Sequence, residues 1–446
     1  MSRSVVTAIS DRWESGLVTT LERSTNAQIA RRCPDLADLL AVAGSGLAEV
    51  ALVSADLRQL DRTALDHLRE CAVMVVGIYP PGDESAQRHL HQLGITTILA
   101  ADASGELIQE TLDGLDAAST LAGAAPSWPP EGLGAADAGA PTGEDPAARP
   151  ALRPGAAGSD GAESDVDDET PLGAIIAVWG PAGAPGRTTV ALNLASELAR
   201  LDQPTVLVDA DTYGGCIAQA LSLLDEAPGL AAATRSADQG SLDLAALARL
   251  APEVSPGLRV LTGIPKAERW PELRAAALEH VLVLTRRLAR FIVIDCGFSL
   301  EDDEELSYDT LAPRRNAATL TSLAVADKVL AVGAGDPIGL QRLVRGLQEL
   351  GTVPSPSPTV VINRVRSSAV GPRPESRIRD ALTRFAGIDN PRFIPDDPAS
   401  LDEALLAGQS LAEAAPDCAV RNTFVALASE IAGVPAPQTG RRRRGA

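Results

Sequence analysis

Lysine is almost absent from this chain: only Lys266 and Lys328 occur among 446 residues. The formal net charge is −20, which argues against a protein that coats nucleic acid while leaving room for a local basic contact. Aromatic residues make up only 3%, so Ala, Leu and Val must pack the interior. No apolar run approaches the roughly 18 residues of a membrane span. The first residues, Met1-Ser2-Arg3-Ser4-Val5, have no apolar leader core, and a cytoplasmic protein is expected. Cys33, Cys71, Cys216, Cys296 and Cys418 are scattered without metal or redox spacing, as in a reducing compartment.

What is present suffices for more than one core. Hydrophobic residues reach 45%, and the length calls for two domains and a linker. Residues 121–171 are rich in Ala, Gly, Pro and Asp and nearly lack bulky apolar side chains. Such a segment cannot bury enough surface to offset its ordering entropy, so a flexible acidic linker is expected, with Trp128 as an incidental exposed aromatic. This divides the chain into an N-terminal domain (1–120), the linker, a larger domain (172–434) and a short basic tail (435–446).

In the first part, Val5–Ile9, Ala27–Cys33, Val50–Val53, Val73–Ile78 and Thr96–Ala100 read as strands, with room for a helix between successive ones. That alternation implies a parallel sheet with right-handed crossovers. The segment resembles the receiver domain of two-component signalling. Most receiver chemistry is missing: Ser54 stands where the phospho-accepting aspartate should end the third strand, and Asp56 follows two residues later. Asp11 is what remains of the acidic pair, and no lysine follows the fifth strand. A pseudo-receiver that binds a partner is expected.

The second part opens with the apolar run Ala174–Trp179, the glycine-rich stretch GPAGAPGRTT (Gly180–Thr189) and a helical pattern from Val190. Strand, glycine turn and helix in that order can hold phosphates on backbone amides at a helix N-terminus. Gly180, Gly183 and Gly186 permit the tight turn, Thr188 offers a hydroxyl to Mg²⁺, and Arg187 stands where a phosphate-binding lysine would be. Further on, Thr205–Val208 runs into Asp209-Ala210-Asp211, and Phe291–Ile294 into Asp295-Cys296-Gly297. Acids at the carboxyl ends of buried strands lie where ligands bind in open α/β sheets and suit the water shell of Mg²⁺. Asn363 follows the strand Thr359–Ile362, and its amide can pair with an adenine edge.

From Gly173 to about Val434 the chain resembles the MinD/ParA family of deviant Walker-A ATPases, and most closely the CpaE/TadZ branch, which places a receiver-like domain before the ATPase. The resemblance rests on the loop itself, on VLVDADTYGG (Val206–Gly215), FIVIDCG (Phe291–Gly297) and ADKVLAVGAGD (Ala326–Asp336), and on VVINRVR (Val360–Arg366) and FIPDDPASLDEALLAGQSLAE (Phe393–Glu413). It implies an α/β protein: a receiver-like parallel sheet, then a doubly wound P-loop NTPase domain. It implies ATP and Mg²⁺ as cofactors. Nucleotide would be bound by Gly180, Gly183, Gly186, Arg187, Thr188, Thr189 and Asn363. The metal would be held by Thr188, Asp209 and Asp295. Asp211, which positions the attacking water, and Arg187 would be the catalytic pair.

The family's second, signature lysine is replaced by Pro181 and Ala182, and the loop is one residue longer between its outer glycines. A planar guanidinium does not replace a compact ammonium, so binding with weak hydrolysis is expected. The bland readings stand beside these. The glycines can mark a plain tight turn, the aspartates can be helix caps or turn acids, and Asn363 an ordinary turn amide. Cys296 reads as a packing residue and the run Glu301–Glu305 as a solvated loop. Arg441–Arg444 would be a solvated end or a contact for DNA or anionic membrane. By resemblance, the protein would be a homodimer. It would localise or regulate pilus or secretion machinery, or the septum site, at a pole, at the septum or on the inner membrane face, with a protein partner on the receiver-like part. The alternatives are a nucleotide-independent dimerising scaffold and a ParA-like partitioning protein.

Overall fold

The computed structural model describes residues 3–23, 27–122, 172–223, 228–302 and 313–435. Beyond Ala122, the expected linker with Trp128 lies outside them, as do the acidic run after Asp302 and the arginine tail.

Two parallel sheets organise the chain. The first contains β1 (Arg3–Ala8), β2 (Ala27–Arg32), β3 (Val50–Ser54), β4 (Met74–Tyr79) and β5 (Ile98–Ala100) in the order β2-β1-β3-β4-β5. Every pairing in it is parallel. That order is the flavodoxin-like, CheY-like one. The expected strands match it to within two residues. The helices α1 (Asp11–Glu22), α2 (Leu36–Gly44), α3 (Arg62–Glu70), α4 (Glu84–Leu93) and α5 (Gly105–Ala122) follow the strands in turn. Asp35, Asp61 and Asp83 cap α2, α3 and α4 by accepting first-turn amides, as short helices require.

The second sheet holds β6 (Ala174–Trp179), β7 (Thr205–Ala210), β8 (Glu253–Ser255), β9 (Leu258–Leu261), β10 (Phe291–Cys296), β11 (Lys328–Ala334), β12 (Thr359–Val365) and β13 (Arg392–Pro395). Its order is β13-β12-β11-β6-β10-β7-β9-β8, with only the β8–β9 pair antiparallel. The central strands are buried on both faces, which explains why they read as unbroken apolar runs rather than alternating ones. The chain moves from β6 toward β7 on one side and reaches β11 on the other, so the order reverses beside β6. A crevice at the carboxyl ends of the strands is the expected consequence.

Helices cover both faces: α6 (Arg187–Arg200), α7 (Ile217–Ala220), α8 (Gly229–Asp238), α9 (Leu244–Leu250), α10 (Ala275–Thr285), α11 (Ala317–Ala324), α12 (Pro337–Leu350), α13 (Ser367–Val370), α14 (Pro374–Ala386), α15 (Pro398–Ala407), α16 (Leu411–Ala414) and α17 (Ala419–Ala432). One face packs Ile176, Val178, Leu207, Val293 and Val332 against α6 and α17. The other packs Ile175, Ala177, Trp179, Val208 and Ile294 against helices that include α8, α10 and α12. Val420, Phe424 and Leu427 of α17 are core residues, and Ile431, at the same apolar spacing, packs partly buried against them.

Because α6 is buried along Val190–Ala199, its polar side chains need partners. Glu197 pairs with Arg421 (2.6 and 3.2 Å), and Asn193 bridges the Thr189 carbonyl (2.8 Å) and the Leu411 amide (2.9 Å). These bonds fix the helix whose first turn faces the crevice. Between the sheets, Arg274 Nη1 lies 3.1 Å from Asp61 and 3.3 Å from Asp238, and Arg62 Nε donates to the Ala237 carbonyl at 3.0 Å.

Candidate functional site

Side-chain alternation decides where the strand-end acids point. Asp209 shares a face with Leu207, and Asp295 with Val293, so both are turned toward α6. The two aspartates are register partners on the adjacent strands β7 and β10. The loop leaves β6 on the other side of β10 and enters α6 through Gly186, whose φ of 96° belongs to the left-handed region. Gly183 has a φ of 74°. Neither position admits a side chain: a Cβ on Gly186 would run into Asn363 Nδ2, and one on Gly183 into Arg342 Nη1. Glycine is needed here for conformation and for space alike.

The first turn of α6 delivers the functional groups. Thr188 Oγ1 donates to Asp295 Oδ2 at 2.6 Å, while Asp295 Oδ1 is buried with no partner. Arg187 turns inward, donating from Nη2 to Asp211 Oδ2 (3.1 Å) and from Nη1 to the Gly180 carbonyl (3.3 Å). Its Nε is buried and unpartnered. Asp211 Oδ1 accepts the amides of Tyr213 (2.9 Å) and Gly214 (3.1 Å). Asp209 accepts from the Ile217 amide (3.0 Å) and the Asp211 amide (3.3 Å). It is clamped between two more glycines: a Cβ on Gly215 would stand 2.7 Å from its Oδ1, and one on Gly263 2.7 Å from its Cγ.

Three buried carboxylates therefore lie together with a single guanidinium, which is paired with Asp211 alone. Burial pushes Asp209 up to about 7, helped by the charge of Asp211 and opposed by the Ile217 amide. Burial, then the charge of Asp209, holds Asp295 well above the ordinary carboxylate range. Such groups either keep a proton or wait for a cation. The unpartnered Asp295 Oδ1, the Thr188 hydroxyl beside it and the glycine-rich loop fit a magnesium–phosphate group. Among the described residues no three His, Cys, Asp or Glu side chains are placed to hold a metal alone.

The structure thus brings Gly180, Gly183, Gly186, Arg187, Thr188, Thr189, Asp209, Asp211, Asp295 and Asn363 to one end of the sheet. Thr189 contributes its carbonyl to Asn193, and its side chain is half-buried. Asn363 is 4% exposed, and its Nδ2 donates to the Pro185 carbonyl at 3.1 Å, which makes it a tie for the loop. Cys216 lies 4.0 Å from Thr188 Oγ1, and burial, then Asp209, raises its thiol. Cys296 is fully buried with its thiol raised by burial, so neither sulfur is primed as a nucleophile.

Sequence reasoning missed the flank of the crevice. Arg315 stacks on the Tyr213 ring (3.7 Å to the centroid) and donates to Thr212 Oγ1 at 2.7 Å. Tyr213 in turn packs against Phe298 (centroids 4.7 Å apart) and donates its hydroxyl to Asn316 Oδ1 at 2.7 Å. Arg315 sits in no motif, and only the fold carries it there.

No protein-family profile matches the chain, and no curated protein does. Solved structures with a similar course exist. The cell division ATPase MinD of Pyrococcus furiosus is 20% identical over 59% of this chain and 99% of its own, with a TM-score of 0.46. A ParA-family ATPase from Chlorobium tepidum is 19% identical over 58% and 99%, with a TM-score of 0.49. The septum site-determining protein MinD of Pyrococcus horikoshii, solved with Mg-ADP, is 18% identical over 58% and 96%, with a TM-score of 0.46. The fold assignment stands on the strand order itself.

Proposed function

We propose that this chain is a nucleotide-binding positioning factor of the MinD/ParA kind, nearest the CpaE/TadZ branch, that binds Mg·ATP and hydrolyses it slowly. The observation that carries this reading is one convergence. A glycine-rich loop leads into α6, whose Thr188 is bonded to Asp295, and Asp295 is in register with Asp209 on the neighbouring strand. Thr188, Asp209 and Asp295 would hold Mg²⁺ together with phosphate oxygens. Bound there, the ion would neutralise phosphate charge.

The chain's own residues do the rest. Loop amides and the α6 N-terminus take the phosphates. Asn363 ties the loop down through the Pro185 carbonyl, and by resemblance it would be the contact for the base. Asp211, the candidate water-positioning acid, is occupied on both oxygens, by two amides and by Arg187. An acid so engaged has little freedom to orient water, which supports slow turnover. The first sheet has a receiver's strand order without its acceptor aspartate, and this supports a docking role for a protein partner. By resemblance the molecule acts as a homodimer in the cytoplasm. It is recruited to a pole, septum or membrane face, and serves Flp/Tad-type pilus or secretion machinery, or division-site selection.

Calorimetric titration of the full chain with ATP and ADP, with and without Mg²⁺, tests the reading. Saturable, Mg²⁺-dependent binding is expected, and no binding of either nucleotide would sink it. One observation favours a second reading, a nucleotide-independent scaffold. The Arg187–Asp211 ion pair, 15% and 5% exposed, already compensates two of the site's charges without a nucleotide. Dimerisation unaffected by nucleotide would be its signature.

A further inference from the structure

Arg187 is committed inside the loop, yet a second guanidinium lies against the loop from outside. It belongs to Arg342 on α12. Asp336 caps this helix by accepting the amides of Ile338 (3.1 Å) and Gly339 (2.9 Å). Gly339, Arg342, Leu343 and Gly346 fall on one helical face, at spacings of three, four and seven. The glycines let that face come close: a Cβ on Gly346 would stand 2.9 Å from Pro181 Cβ and 3.1 Å from Trp179 Cη2. Leu343 fills the core beneath, so the long polar side chain of the face is Arg342, and its Nη1 reaches Gly183. Ala182 and Gly183 are exposed while Gly186 to Thr189 are half-buried, so Gly183 forms the outer lip of the loop. Arg342 is exposed, and no carboxylate or carbonyl among the described residues engages it.

We propose that Arg342 is the phosphate-binding cation of this site. It would take the terminal phosphate of a nucleoside triphosphate whose inner phosphates rest on the loop amides. The assignment rests on reading the loop as a nucleotide site. A guanidinium suits the task because its planar fork matches two phosphate oxygens at once and stays charged at every physiological pH. It also accounts for Pro181 and Ala182: a loop supplied with a cation from α12 needs no lysine of its own.

The test is titration of the full chain with Mg·ATP and Mg·ADP for wild type, Arg342→Ala and Arg342→Lys, with thermal melting of each. Wild type is expected to prefer ATP. Arg342→Ala should lose ATP affinity by about tenfold or more and ADP affinity by less than about threefold, with an unchanged melting temperature and Arg342→Lys in between. An unchanged ATP-to-ADP ratio in Arg342→Ala would overturn the assignment. Equal losses for both nucleotides with a lowered melting temperature would overturn it too, by showing that the residue only packs the loop. If wild type bound neither nucleotide, the reading of the loop would fail first, and this assignment with it.

Discussion

At the carboxyl ends of the first sheet, β3 closes on Ser54, whose hydroxyl is turned onto Asp56, and the glycine after β4, Gly82, faces open space. At the corresponding ends of the second sheet, β7 and β10 close on aspartates buried to 2% and 0% exposure, and the glycines of the loop are hemmed in by Asn363 and Arg342. Both sheets are doubly wound, and all their strand pairs are parallel except β8–β9. One holds a local hydrogen bond, and the other holds unsatisfied charge. The difference teaches that the architecture supplies the place, while uncompensated polar groups supply the chemistry. A polar cluster that destabilises the folded protein by itself is a sign of an absent partner.

The comparison breaks most decisively at Gly186. Gly186→Val puts a β-branched residue at a φ of 96° and drives it into Asn363, so Mg·ATP affinity should fall by about a hundredfold or more. Titration within threefold of wild type would contradict the loop assignment. Asp295→Asn comes next. It removes a fully buried carboxylate with one unpartnered oxygen, so Mg²⁺-dependent binding should weaken by about tenfold. The nucleotide-free variant should nevertheless be more stable at pH 8, by about 2 kcal/mol in denaturant unfolding. A destabilised variant would mean that Asp295 is a structural acid.

A smaller effect should appear in the pH dependence of stability. Asp209 sits near 7 in the fold against 3.8 ordinarily, so between those values the folded state binds more protons than the unfolded one. Stability should then fall as pH rises from about 4 to 7, with one group contributing at most about 1.4 kcal/mol per pH unit. Asp209→Asn should flatten that slope, and an unchanged slope would assign it to other groups. The smallest effect belongs to the first sheet. Asp56→Ala should change stability by less than about 0.5 kcal/mol, and acetyl phosphate should leave no label on either protein. Labelling lost in the variant would restore receiver chemistry to this end.

The two sheets were legible because parallel strands buried on both faces are written as short apolar runs between helical patterns. The loop and its acids were legible for a related reason: Gly180 to Thr189, Asp209 with Asp211, and Asp295 each directly continue such a run. Asn363 was legible as a strand-end amide, but its hold on Pro185 joins positions 178 residues apart. Arg315 and Arg342 lie in surface helices or turns among many other arginines, and nothing in their neighbourhood marks them.

The order of residues alone determined the strands, the glycine turn and which carboxyl groups cap buried strands, because each depends on propensity and periodicity within a few neighbours. Tertiary packing alone decided the partnerships. Arg187 spends its charge on Asp211, and the bare face of α12 brings Arg342 to Gly183. The directions of long side chains are set by what surrounds them after the sheets have closed, and no local pattern encodes that.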